Sequence, residues 1–146
     1  MIRAIKPADK AVYLEMAKEF YSTDAVISPV AEENFSTTFD EMMKSDRYAV
    51  GYIFELDGKT VGYALLAKTF SQEAGGMVIW IEELYIKDGF RSKGLGSEFF
   101  RFLESTYGGI KRFRLEVEKE NTGAVRLYEK QGFSFFAYDQ MIKEIK

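Results

Sequence analysis

The sequence predicts an α/β domain of the α+β kind: a mixed, mostly antiparallel central sheet containing one parallel pair, flanked by about four helices. Three observations predict it. Apolar residues alternate with period two from Tyr48 to Leu56 and again from Val61 to Ala67, around the tight-turn dipeptide Asp57-Gly58, which makes an antiparallel hairpin. Four other stretches carry apolar residues at helical spacing. One of these helices separates the strands at Ile79–Ile86 and Phe113–Val117, and a helical crossover between neighbouring strands makes them parallel.

Taken in order, Ile2 to Ile5 is a short strand that ends where Pro7 sets a first helical turn, with Asp9 near the positive end of the helix dipole. The helix runs to about Tyr21 and turns Val12, Tyr13, Met16, Ala17 and Phe20 inward. Residues 22–29 are turn formers ending in Pro29, hence loop. A second helix follows from about Ser28-Pro29, with Glu32 and Glu33 in its first turn and Phe35, Phe39, Met42 and Met43 buried. After the hairpin, Ser71 to Gly76 is a loop before the third strand of the meander. The crossover helix presents Leu95, Phe99, Phe102 and Leu103 and ends near Tyr107-Gly108-Gly109. The last helix places Ala124, Leu127, Tyr128 and Gln131 on one side and stops at Gly132. The tail from Phe133 to Ile145 is expected to supply one or two closing strands.

Composition narrows the chemistry. At 146 residues, 47% hydrophobic and 29% charged, the chain is expected to be one domain spanning 1–146. Its 13 Phe and 9 Tyr imply a core and a pocket rich in rings. A net charge of −3 lacks the basic footprint of a nucleic-acid binder. Cysteine and histidine are both absent, so disulfides, thiolate nucleophiles and the usual zinc and iron ligands are absent too. Proton transfers fall to carboxylates, Tyr, Lys or water, and no metal is expected. With no apolar run approaching 18 residues, the expectation is a soluble cytoplasmic protein without membrane contact.

The most informative stretch is Ile79 to Ser97. A buried strand runs to Leu84-Tyr85-Ile86, a short polar loop follows, and Arg91-Ser92-Lys93-Gly94-Leu95-Gly96-Ser97 opens the crossover helix. Its two glycines let the backbone turn closely, so several N–H groups and the helix dipole can converge on one anion, with Arg91 and Lys93 adding charge. Two better-known glycine loops fail on spacing. A nucleoside-triphosphate loop needs Gly-Lys followed by Ser or Thr, whereas Lys93 precedes Gly94. A dinucleotide fingerprint needs a small residue where Phe99 stands. The plain alternative is an ordinary helix start with solvated Arg and Lys.

Arg-x-x-Gly-x-Gly after a strand resembles the pyrophosphate-binding signature of the GCN5-related N-acetyltransferases (GNAT family). A second block, Asn121-Thr122-Gly123-Ala124-Val125-Arg126-Leu127-Tyr128-Glu129-Lys130-Gln131-Gly132-Phe133, is similar to another motif of that family. The resemblance is dense from about Val61 to Phe133. It implies the acyl-CoA N-acyltransferase fold, whose parallel strands splay apart at the centre of the sheet, and acetyl-CoA as cosubstrate. Residues 91–97 would hold the pyrophosphate, the amides of Leu84, Tyr85 and Ile86 would take the pantetheine arm as an added strand, and Asn121 would bind that arm or brace the second block.

Acyl transfer from a thioester to an amine needs donors on the carbonyl, a neutral amine and an acid for the leaving thiolate. By the resemblance Tyr128 is the acid, the alternative being a core tyrosine. Glu82 and Glu83 are the candidate bases, Glu82 matching the family carboxylate better. Strand alternation groups Glu82 with Trp80 and Leu84, and Glu83 with Ile81 and Tyr85, so both face one cleft only if a bulge intervenes. Phe20, Tyr21, Asp24 and Phe35 match the region that walls the acceptor site, although rings at helical spacing also read as core. The expected activity is direct acetyl transfer in a ternary complex to a small-molecule or peptide amine, leaning cationic because of the paired glutamates. A homodimer is open. A non-catalytic acyl-CoA-binding sensor of the same fold is the alternative, and phosphoryl transfer lacks the Mg²⁺-binding hydroxyl.

Overall fold

The computed structural model describes residues 1–23 and 25–145. Along the chain run β1 (Ile2–Ala4), a 3-10 turn (Pro7–Asp9), α1 (Lys10–Phe20), α2 (Glu33–Lys44), β2 (Ala49–Leu56), β3 (Lys59–Ser71), β4 (Gly76–Ile86), α3 (Leu95–Thr106), β5 (Arg112–Leu115) and α4 (Thr122–Lys130). The sheet follows chain order, β1-β2-β3-β4-β5. Its first three pairings are antiparallel and β4–β5 is parallel. Asp57 and Gly58 both take positive φ, 51° and 74°, the handedness that matches the twist of a two-residue hairpin.

Both faces of the sheet are covered, each by its own cluster. On one side Leu95, Phe99, Phe100 and Leu103 of α3 meet Tyr52, Phe54, Ala64, Leu66, Ile79 and Ile81. On the other, Tyr13, Met16 and Ala17 of α1 and Phe35, Phe39 and Met42 of α2 meet Ile53, Tyr63, Leu65 and Tyr85. Full burial of an aliphatic or aromatic side chain of this size stabilises by roughly 1.5–3 kcal/mol, so the two layers, not the helices' own propensities, hold the helices in place.

The first helix begins later than Pro7 implies. Asp9, expected near the positive end of the helix dipole, is the N-cap residue of α1 and the last residue of the 3-10 turn; it is buried and accepts from Arg3 Nη1 and Nη2 at 2.8 and 2.9 Å and from the Lys6 N–H at 2.9 Å. Hydrogen bonding from Arg3 holds its pKa below the usual carboxylate value, although burial opposes this. Helix α2 likewise starts at Glu33, four residues beyond Pro29.

The tail does not form the closing strands that its sequence predicts. Phe133 to Ile145 is irregular because its side chains engage separate partners instead of one ladder. Phe133 packs on Phe100 and Tyr128, Phe136 lies over Arg112 and Arg114, and the Tyr138 hydroxyl donates to Glu73 at 3.2 Å. No helix among the described residues is long and apolar enough to cross a membrane.

Candidate functional site

Strand β4 is the origin of the site. From Val78 to Ile81 it pairs with Arg112 to Leu115 of β5, and there the parallel pairing ends. Between Glu82 and Ile86, β4 keeps β3 on one side and, among the described residues, has no strand on the other. The backbone groups along that open edge can accept an extended ligand as an added strand.

At the same point the β3–β4 register slips: Leu66 pairs with Ile81 and Leu65 with Glu83, so Glu82 is a bulge residue. The bulge reverses the alternation. Ile79 and Ile81 point into the α3 cluster, while Glu83 and Tyr85 point into the α1–α2 cluster. The grouping of Glu83 with Ile81, expected from strict alternation, is thereby corrected. Glu82 stays exposed at the mouth of the gap, opposite Glu116, which directly follows the end of β5. Partial desolvation, then Glu116, then Glu83 push the Glu82 pKa up.

Glu83 is 7% exposed, and both of its oxygens are taken: the Tyr63 hydroxyl donates to Oε1 at 2.5 Å and the Tyr21 hydroxyl to Oε2 at 2.9 Å. Burial raises its pKa against the opposing effect of those two hydrogen bonds. Tyr21 is held by Phe20 and Phe35, with ring centroids 5.2 Å away in each case. Thus Phe20, Tyr21 and Phe35 surround the carboxylate's outer side, and Asp24 lies outside the described residues. Tyr85 donates to Glu19, and its pKa is pushed up to about 12, burial being the main cause.

Beyond β4 the loop tightens into α3. Gly94, with φ 83°, is the left-handed residue at the helix start and offers no side-chain cap. The first intrahelical bond is Glu98 N–H to Gly94 O at 2.9 Å, so the N–H groups of Leu95, Gly96 and Ser97 have no acceptor within the helix. Free N–H groups at a helix start can hold an anion, and the Leu95 side chain drops into the core below. Ser92 and Lys93 are exposed beside it; Arg91 is exposed too, its Nε bonded to Ile86 O at 2.9 Å and Nη1 paired with Asp88 at 2.9 Å. A hollow of about 420 Å³ at this end is lined by Glu19, Ser22, Thr23, Tyr85, Lys87, Asp88 and Arg91.

Besides offering a free N–H, Gly96 is a packing position. A Cβ there would meet Leu127 of α4 at 2.9 Å, so this glycine sets how closely α4 approaches α3. Gln131 Nε2 donates to Ser97 Oγ at 3.2 Å along the same seam. Asn121 caps α4, its side chain accepting from the Ala124 N–H at 3.4 Å, and so braces the second block. Nearly two turns into that helix, Tyr128 packs edge-on against Phe100 and joins the cluster that holds Leu84 and Ile86. Among the described residues no protein group accepts from its hydroxyl, and burial raises its pKa, which keeps the phenol protonated.

The arrangement therefore places an unpartnered phenol on the α3–α4 side of the sheet and a buried carboxylate on the α1–α2 side, with an open gap between β4 and β5 connecting them. Sequence reasoning missed Glu116, Tyr63 and the link from Tyr21 to Glu83. Partners 62 and 20 residues apart leave no local signature, and only the glutamate inside an otherwise apolar strand marked the place.

Comparison with known proteins bears on this geometry. The profile of the acetyltransferase (GNAT) family matches residues 11–133. A spermine/spermidine N(1)-acetyltransferase of Bacillus subtilis (strain 168) is 29% identical over 91 residues, 59% of this chain and 59% of that protein. Among solved structures, a possible acetyltransferase from Clostridium difficile 630 superposes with a TM-score of 0.80 at 20% identity, covering 100% of this chain and 97% of its own. The aminoglycoside acetyltransferase AAC(6')-Iy, solved with a bisubstrate analogue of CoA and acetylneamine, gives 0.81 at 14% identity, with 100% and 98% coverage.

Proposed function

Because this chain belongs to the acetyltransferase (GNAT) family, we propose that it transfers an acetyl group from acetyl-CoA to a primary amine by direct attack in a ternary complex. The observation that carries this reading is the open edge of β4 from Glu82 to Ile86, which the loop 87–94 connects to the uncapped amides at the start of α3. An extended pantetheine arm fits the edge, and a pyrophosphate fits the amides of Leu95, Gly96 and Ser97. Acetyl-CoA supplies an acyl carbonyl activated as a thioester.

The residues on the two sides of the gap divide the proton chemistry. Tyr128, protonated and without a protein acceptor, donates to the departing sulfur. Glu82 and Glu83, on the opposite side, take the proton that the amine must lose to become a nucleophile. Without a cysteine, the protein has no thiol for a covalent acyl-enzyme, which favours direct transfer.

Glu82, Glu83 and Glu116 give the gap a negative potential suited to a cationic acceptor. The Bacillus subtilis relative is named for spermine and spermidine, and such amines head the list to be tried. The test is thiol release from acetyl-CoA with a panel of diamines, polyamines, aminoglycosides and peptide amines. Amine-dependent release is the expected result. Tight coenzyme A binding with no release for any amine would favour the non-catalytic acyl-CoA-binding alternative.

A further inference from the structure

We propose that Tyr21 is the proton relay between the acceptor amine and Glu83, a role that rests on the acetyltransferase reading. The carboxylate is almost wholly buried. Its Oε1 is occupied by Tyr63, which is 1% exposed, and its Oε2 by Tyr21, which is half-buried and stands at the end of α1. Of the two phenols that touch Glu83, only Tyr21 reaches solvent. An amine arriving from the α1–α2 side therefore meets the Tyr21 oxygen before it can meet the carboxylate.

The surroundings of Glu83 fit a proton acceptor waiting for a cation. Tyr13 and Tyr21 face it from α1, Tyr63 from β3, and Glu82 is its neighbour on β4. No lysine or arginine forms an ion pair with it among the described residues. A carboxylate buried without a cation is costly, and protonation relieves the cost. The Tyr21 ring is fixed between Phe20 and Phe35, so its hydroxyl is already aligned on Oε2 at 2.9 Å.

In the relay, an N–H bond of the acceptor ammonium breaks as its proton passes to the Tyr21 oxygen, while the Tyr21 O–H proton passes to Glu83 Oε2. An ammonium, a phenol and a carboxylate become a neutral amine, a phenol and a carboxylic acid. Charge and protons balance, and Tyr21 ends as it began.

The test compares Tyr21→Phe with Tyr63→Phe, each of which removes one phenol donor from Glu83. If the phenols only brace the carboxylate, the two variants behave alike. The relay predicts that Tyr21→Phe lowers kcat on its high-pH plateau at least tenfold, the lower end of what acid–base groups contribute, while KM for acetyl-CoA stays put. Tyr63→Phe lowers plateau kcat less than Tyr21→Phe does, and in both variants the acid limb moves to higher pH, because the ionised carboxylate has lost a donor. Plateau kcat of Tyr21→Phe within twofold of the parent overturns the relay. Should Tyr21→Phe lose the fold, judged by coenzyme A binding, a proton inventory on the parent decides: a bowed plot for two protons in flight supports the relay and a straight line overturns it. A parent protein that acetylates no amine removes the acetyltransferase reading and the relay together, whereas an active parent beside an unaffected Tyr21→Phe removes the relay alone.

Discussion

Gly96 of α3 packs against Leu127 of α4: a Cβ on Gly96 would stand 2.9 Å from Leu127 Cδ2, so any side chain there requires the leucine to shift. Leu127 adjoins Tyr128 in α4, so a shift of Leu127 bears on the helix that carries the phenol. Gly94, two residues earlier, has nothing within 4 Å of a hypothetical Cβ and is required instead for its φ of 83°. Two glycines that look equivalent in the sequence thus meet different demands, Gly94 a backbone conformation and Gly96 a packing contact.

Substituting them should separate two measurements. Gly94→Ala forces an alanine into the left-handed region at a cost of ~1 kcal/mol, and the turn can relax only by moving the amides of residues 95–97. Coenzyme A affinity by calorimetry should fall about tenfold, which is ~1.4 kcal/mol. In Gly96→Val the branched side chain pushes α4 outward, so kcat should fall about tenfold while coenzyme A affinity changes less, the scale expected when a reacting group is displaced. Equal losses of affinity in both variants would show that Gly96 acts chiefly through its amide at the anion site and not through its contact with Leu127.

The distribution of what the sequence disclosed follows from the range of the interactions involved. The hairpin at Asp57-Gly58, the period-two strands and the helix start at Gly94 are local, and each was legible. The bulge at Glu82 was not, because it arises from the register of β4 against β3 and leaves Glu82 and Glu83 looking like ordinary neighbours. The tail misled for the opposite reason. Its apolar residues read as strands, yet Phe136 finds guanidinium groups and Tyr138 finds Glu73, while Met141 and Ile142 remain exposed.

Glu116 supplies a way to tell which glutamate serves as base. Both Glu82 and Glu83 have raised pKa values, and a base must be ionised, so kcat/KM should fall as pH drops through a limb above the ordinary glutamate value. Glu116→Gln removes a negative neighbour from Glu82. If Glu82 is the base, its pKa drops and the acid limb shifts to lower pH, more so at low salt because both side chains are exposed. A limb that does not move assigns the proton to Glu83 and its tyrosines.

Tyr128→Phe is the most decisive substitution, because the hydroxyl has no protein partner to lose. A core tyrosine that gives up a buried hydrogen bond destabilises the fold by ~1 kcal/mol. Here the ring contacts with Phe100 and Phe133 survive in phenylalanine, so the melting temperature should stay nearly unchanged, and coenzyme A affinity with it. If the phenol protonates the departing sulfur, kcat falls about 10²-fold, the scale of general acid catalysis. The raised pKa keeps the donor protonated across neutral pH, so the loss should not vary with pH below the alkaline range. Measured together, kcat, melting temperature and coenzyme A affinity admit one clear failure: an unchanged kcat beside a lowered melting temperature would make Tyr128 a packing residue and leave the thiolate to be protonated by water.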